Sequence, residues 1–259
     1  MIDLHTHVLA GLDDGPADLE GSLEIAKEAA ENGVKILVAT PHVRDDFPTT
    51  PREMMEAVAT LHAALRQAKV EIELLPGAEI AFDYLPELGV EDLCFLGLAG
   101  NSDYLLIELP FFGWPLDAAE RIEQLAAAGF TTVLAHPERN NAVQQSPRRL
   151  VELVELGALV QVTATSLTGG FGQEAARSSK ALLDSGLVHI VASDTHRAGG
   201  RRAALGSALD TLRDPVLAAW LSEDVPDAIV RGTAVPPRPS RKARKKRGHA
   251  GTAANRSWH

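Results

Sequence analysis

Imidazoles and carboxylates recur in this chain at places where metal or phosphate chemistry could use them. The opening stretch "MIDLHTHVLAGLDDGP" carries His5 and His7 two residues apart, then Asp13 and Asp14. Further along come His42 in "ATPH", Glu79 in "PGAEI", Glu108 in "LLIELP", His136 in "LAHPERN", and Asp194 with His196 in "VASDTH". Taken singly, each has an ordinary explanation: a histidine after a strand caps or decorates the surface, Glu108 pairs with an arginine, and either aspartate serves the turn at Gly15. Taken together they form a nitrogen and oxygen donor set suited to Zn²⁺, Mn²⁺ or Fe, with no thiolate to favour a structural zinc site. A carboxylate such as Glu79 can bridge two ions, and the donors suffice for three. The chemistry expected is hydrolysis at a polynuclear centre.

Such a set needs elements that bring it together. Short β-branched runs over Ile2–His7, Lys35–Thr40, Glu71–Pro76, Tyr104–Leu109, Thr131–His136, Leu159–Thr163 and His189–Ser193 predict seven strands. Segments of helical period separate them. Leu19–Asn32, Asp117–Ala128, Arg148–Leu156 and Gln173–Ser185 each stop at a glycine (Gly33, Gly129, Gly157 and Gly186), the residue that suits a helix C-terminus, while Arg52–Lys69 follows a proline. Ala203–Arg231 reads as closing helices. The alternation predicts an α/β fold, a distorted (β/α)7 TIM-like barrel with its metal site at the C-terminal ends of the strands. Six of the seven strands deliver His, Asp or Glu at that end. Residues two apart on a strand point the same way, so His5 and His7 converge.

Composition narrows the class. No apolar stretch approaches the roughly 20 residues of a membrane span, and charged residues stand where a signal peptide would have its apolar run, so a cytoplasmic protein is expected. The single Cys94 excludes an internal disulfide and reads as a small buried apolar side chain. The net charge of −10 hides an asymmetry. From Pro236 onward, "PPRPSRKARKKRGHAGTAANRSWH" holds eight Lys or Arg and no acid, leaving 17 basic against 35 acidic side chains, a net of −18, in residues 1–235. With almost nothing to bury, residues 236–259 read as a basic disordered tail behind a single domain over 1–235. The tail either contacts an anionic surface or simply offsets the acidic body.

"DLHTH", "GLDDGP", "ATPH", "GAEI", "LIELP", "AHPERN", "SLTGGFG" and "SDTH", in that order, resemble the polymerase and histidinol phosphatase (PHP) superfamily. Within it, the chain is most similar to the manganese-dependent protein-tyrosine phosphatases of bacterial capsular and exopolysaccharide operons. The resemblance spans residues 1–235 and implies a distorted barrel of seven βα units. It implies three divalent ions: one held by His5, His7, Glu79 and Asp194, a second by Glu79, Glu108 and His136, a third by Asp14, His42 and His196. It also implies that Arg139 and Arg201 hold the phosphate, with Arg197 and Arg202 as competitors for the second role. The expected substrate is a phosphotyrosine protein, the tail of an autophosphorylating tyrosine kinase of polysaccharide synthesis, which would draw the enzyme to the inner membrane face. Nucleic acid is not an expected partner.

The expected reaction is attack of a metal-bridging hydroxide on phosphorus without a phosphoenzyme. A phenolate leaving group, from a phenol of pKa about 10, needs less protonation than an alkoxide. The rival on the same scaffold is a histidinol-phosphate or other small-molecule phosphatase. Further rivals are a metal-dependent deoxyribonuclease, an amidohydrolase, which would commonly place lysine where Glu108 stands, and a non-catalytic metal-binding regulator.

Overall fold

The structure is a computed structural model and describes residues 1–199 and 205–240. Its strands are β1 (Ile2–Thr6), β2 (Ile36–Ala39), β3 (His42–Arg44), β4 (Phe47–Pro48), β5 (Glu73–Pro76), β6 (Glu79–Ala81), β7 (Tyr104–Glu108), β8 (Thr131–Ala135), β9 (Leu159–Thr163) and β10 (Ile190–Ala192). β1, β2 and β5 pair in one sheet, and β10, β9, β8, β7, β6, β3 and β4 follow one another in a second. Every pairing is parallel except the β3–β4 hairpin.

The two sheets are one ring of seven strand positions. β2 runs into β3 across Thr40–Pro41, and β5 into β6 across Gly77–Ala78, so one sheet continues into the other. On the far side the ring joins through a bridge between Thr6 and Thr195, with His7 N–H donating to Thr195 O and Asp194 N–H to His5 O, both at 2.9 Å. This is the α/β, TIM-like arrangement the alternation predicts, distorted where two strands are broken. Pro41 explains one break, since it has no N–H for the ladder; the predicted second strand stops just before it, at Thr40, and β3, β4 and β6 are additional to the predicted strands.

Strands buried on both faces read as continuous apolar runs. Leu105, Leu106 and Ile107 of β7, Val133 and Leu134 of β8, and Val160 and Val162 of β9 are all buried. Helices at Leu19–Glu31, Pro51–Gln67, Ala118–Ala127, Arg149–Glu155 and Gln173–Ser185 fall where expected. Pro51–Gln67 turns Met54, Val58, Leu61 and Leu65 inward, and a reciprocal Thr50–Glu53 capping box starts it. Gly33, Gly129, Gly157 and Gly186 all have positive φ at the helix ends.

Two expectations are corrected. Cys94 is exposed, because the short peripheral helix Val90–Phe95 buries only Leu93 and turns the thiol outward. The segment from Pro236 to Ser240 is not a loose tail: Trp220 Nε1 donates to Pro236 O at 3.0 Å, and Arg238 donates to Val188 O and Leu183 O at 2.9 and 3.0 Å. Residues 241–259 of the expected tail lie outside the described residues. Among the described residues no helix is long and apolar enough to cross a membrane.

Candidate metal centre

The C-terminal rim of the ring gathers the nine side chains that the resemblance assigns to three ions. Glu79, at the start of β6, is fully buried at its centre. Its Oε1 lies 2.8 Å from His136 Nε2; its Oε2 lies 3.3 Å from His5 Nε2, 3.2 Å from His7 Nε2 and 3.0 Å from His42 Nδ1. Asp194 Oδ1 stands 3.5 to 3.6 Å from His5, His7 and His196. Glu108 Oε1 is 3.6 Å from His136 Nε2. On the outer side, Asp14 Oδ1 lies 3.2 Å from His196 Nε2 and 3.6 Å from His42 Nε2.

These spacings suit bound cations. Two donors each about 2.1 Å from one ion stand about 3 to 3.5 Å apart. Four groups offer converging ligand atoms: His7, Asp14, His42 and His196; His5, Glu79 and His136; His5, His7 and Asp194; His42, Glu79 and Glu108. Relative to the sets the resemblance implies, His7 joins the outer group, and the Glu79–Glu108–His136 set divides into two triads that share Glu79. Glu79 Oε2 and His42 Nδ1 are buried without a hydrogen-bond partner although they lie 3.0 Å apart. Orphaned buried atoms of this kind are costly, and a shared cation would satisfy them. The residues fit metal ions.

Local backbone aims the donors. His136 and Asp194 take φ of +29° and +53°, a region that side-chain-bearing residues seldom enter, where strand β8 ends and just beyond β10. Gly15 is required by a close approach: a Cβ there would stand 2.5 Å from His7 O and 2.8 Å from Asp13 Oδ1. Asp13 itself is not among the converging ligands. Its Oδ2 accepts from His7 Nδ1 at 2.7 Å and from His42 N–H at 3.1 Å, and its Oδ1 from Gly15 N–H at 2.9 Å. That bond leaves His7 Nε2 turned towards Glu79, the usual work of a carboxylate behind a metal-binding imidazole.

The ninth strand, silent in the sequence reading, supplies the corresponding partner for His5. Gln161 Oε1 accepts from His5 Nδ1 at 3.0 Å and from His136 N–H at 3.2 Å, and the residue is buried. A glutamine within "LVQV" carries no metal-binding signal; only its place inside an otherwise apolar buried strand could have flagged it.

Charge is tightly compensated. Burial opposes the imidazolium of His136, yet the adjoining Glu79 carboxylate pushes its pKa up to about 9. Burial likewise opposes His7 ionisation, and the neighbouring carboxylates of Asp13, Asp194 and Glu79 carry it well above the ordinary histidine value. Burial works against ionised Glu79 as well, but the charges of His5 and His136 hold it well below the usual carboxylate range. Glu108 is raised, by burial first and then by Glu79. Protons and metal ions compete for the same lone pairs here.

A cleft of about 400 Å³ opens over these donors, lined also by Arg44, Phe111, Arg139 and Arg197. Arg139 Nη1 donates to Asp194 Oδ2 at 2.9 Å, and its guanidinium lies over the rings of Phe111 and Phe171, 4.6 and 4.4 Å from their centroids. The "SLTGGFG" stretch thus brings Phe171 to the site. Arg44, over Phe47 and 3.8 Å from Glu108, was not singled out in the sequence. Arg201 lies outside the described residues.

Fold and rim together define a TIM-like α/β protein with a candidate metal centre at its strand ends. The chain belongs to the family described as "Capsular polysaccharide synthesis, CpsB/CapC", whose model matches residues 1–219. It is 36% identical over 213 residues to the tyrosine-protein phosphatase YwqE of Bacillus subtilis, covering 82% of this chain and 84% of that protein. A crystal structure from work on YwqE of Bacillus subtilis and CpsB of Streptococcus pneumoniae, described as unique metal-dependent tyrosine phosphatases, superposes with a TM-score of 0.82 at 32% identity, covering 93% of this chain and 100% of that one. The histidinol phosphate phosphatase of Lactococcus lactis superposes at a TM-score of 0.53 and 12% identity over 82% of this chain and 92% of that one, a likeness of fold alone.

Proposed function

We propose that this chain is a metal-dependent phosphomonoester hydrolase acting on phosphotyrosyl protein. The observation that carries the reading is Glu79, a buried carboxylate facing four imidazoles across 2.8 to 3.3 Å with one oxygen lacking a hydrogen bond. We assign the nine donors to three divalent ions, most simply Mn²⁺, with Fe or Zn²⁺ as chemically compatible substitutes. When bound, such ions supply an activated water at neutral pH and positive charge opposite phosphoryl oxygens.

The chain's own residues do the rest. Arg139, steadied by Asp194 and two aromatic rings, offers a planar fork to the phosphate, and Arg197 and Arg44 add positive charge to a cleft otherwise rich in carboxylates. Arg201 keeps its assignment as a second phosphate-binding arginine. Asp13 and Gln161 hold His7 and His5 in one tautomer and orientation. The phenolate of a tyrosyl phosphate leaves without a dedicated general acid.

The names of the relatives support phosphotyrosine as substrate. The partner we assign is the tail of an autophosphorylating tyrosine kinase of capsule or exopolysaccharide synthesis, met in the cytoplasm at the inner membrane face. The test is turnover with Mn²⁺ on phosphotyrosyl peptide, phosphoseryl peptide and histidinol phosphate side by side. Hydrolysis of the first well above the others is expected, and histidinol phosphate far ahead would overturn the reading. His136→Ala should abolish Mn²⁺-stimulated hydrolysis.

A further inference from the structure

Phe112 and Leu116 are 82% and 100% exposed, the two highest values for large apolar side chains among the described residues. Both sit on the loop from Pro110 to Asp117 that follows β7. Scattered exposed apolar residues need no account, but two on one loop beside a cleft do.

The exposure is imposed by a braced backbone. Asn140 Nδ2 donates to Pro110 O at 2.6 Å and to Gly113 O at 2.9 Å; Asn141 N–H donates to Phe111 O, and Gly113 N–H to Asn141 Oδ1, each at 2.9 Å. Gly113 has φ +81° and nothing within 4 Å of a Cβ position, so the glycine serves the reversal itself, not a close approach. Beyond it, Trp114 turns inward against the core and lies under Arg149, 5.6 Å from ring centroid to guanidinium. The loop therefore holds one aromatic in and one out. Its position is fixed by Phe111, which lines the cleft, stacks on His136 at 6.0 Å and faces Arg139. Phe112 follows the cleft-lining Phe111 directly in the chain and is exposed.

We infer that Phe112 and Leu116 form an apolar lip that docks the polypeptide flanking the phosphotyrosine, favouring apolar neighbours over acidic ones. The inference rests on the phosphatase reading above and adds how a protein substrate is told from a small one. A small phosphomonoester stays within a cleft of about 400 Å³, whereas a phosphotyrosyl chain must run across the mouth. The net charge of −18 in residues 1–235 disfavours acidic flanks, and residues 110–117 carry Asp117 as their one charge beside Phe111, Phe112, Trp114 and Leu116, so apolar contact is what this edge offers. Two other occupants fit less well. A second copy would need about 800 Å² per partner, several times what one phenylalanine of about 150–250 Å² and one leucine supply. A lipid surface would find no Lys or Arg between Pro110 and Asp117 to meet anionic headgroups.

The experiment compares wild type with the Phe112→Ser, Leu116→Ser double variant, using para-nitrophenyl phosphate, a phosphotyrosyl peptide with apolar flanks and one with aspartate flanks. Both side chains are exposed, so thermal melting should be unchanged and hydrolysis of the aryl phosphate should match wild type. For the apolar peptide, KM should rise about ten-fold with kcat held, and the preference over the acidic peptide should collapse. Equal loss on the aryl phosphate and the peptides, or no loss on either, overturns the lip while leaving the phosphatase reading intact. So does an unchanged peptide KM together with loss of wild-type dimerisation in sedimentation or of vesicle binding. Absence of turnover on every substrate by wild type would instead remove the phosphatase reading, and the lip with it.

Discussion

Two histidines in this molecule, His136 buried and His189 partly buried, respond to loss of solvent in opposite ways. His136 at the centre is pushed up to about 9, whereas His189, between β9 and the chain's last described residues, falls to about 4. Burial disfavours the charged ring in both. At the centre Glu79 overrides it; at His189 nothing does, because the nearby charge is Arg238, and Nδ1 already accepts from Val160 N–H at 3.2 Å. Burial alone therefore makes an inert imidazole, and a buried carboxylate makes one that demands a cation. The centre repeats this contrast internally: its inner donors are buried, whereas Asp14, at 51% exposure, reaches in from a loop.

Removing the carboxylate should break the contrast most severely. Glu79→Gln leaves four imidazoles without their common anion; loss of activity by at least about a thousand-fold and loss of bound metal by elemental analysis are expected. Arg139→Lys keeps the charge but not the planar fork, and should lower kcat/KM on phosphotyrosyl peptide by about a hundred-fold with metal content unchanged. Gln161→Leu removes the acceptor behind His5, so Mn²⁺ affinity by titration should fall about 10- to 100-fold, with excess metal restoring much of the rate. Asp14→Asn probes the outer edge: one ion fewer per chain should be retained after dialysis, while the inner ions remain.

The smallest effect belongs to His189. Its folded pKa lies below the unfolded value of about 6.5, so between about pH 6.5 and 4 the unfolded chain binds more protons. The stability tied to its neutral form is complete above pH 6.5 and drains away as the pH falls, by up to roughly 3 kcal/mol in all. His189→Gln, which keeps an acceptor for Val160, should flatten that part of the pH profile of thermal melting. An unchanged slope would show that His189 is not held neutral.

Much of this was legible in the chain. The seven parallel strand positions were readable from apolar runs, since strands buried on both faces announce themselves, and the helix ends from glycines that alone accept positive φ freely. The donors were readable because imidazole and carboxylate at the end of an apolar run have few other uses in such number. The short strands β3, β4 and β6 were not, because two or three residues around a proline or a glycine carry no period. Cys94 was misplaced because exposure of a six-residue peripheral helix depends on what packs beside it.

By itself, then, the amino-acid order determined which residue types stand at which strand ends, and so the kind of centre they can build. Only the tertiary structure decided that Glu79 lies among four histidines, that Asp13 backs His7 while Asp14 faces His196, that Gln161 from an apolar strand steadies His5, and that Arg139 lies over Phe111 and Phe171. The reason is geometric. Strand periodicity fixes the side to which a residue points, but distances across the ring follow from its closure, which joins residues nearly two hundred positions apart, such as Thr6 and Thr195.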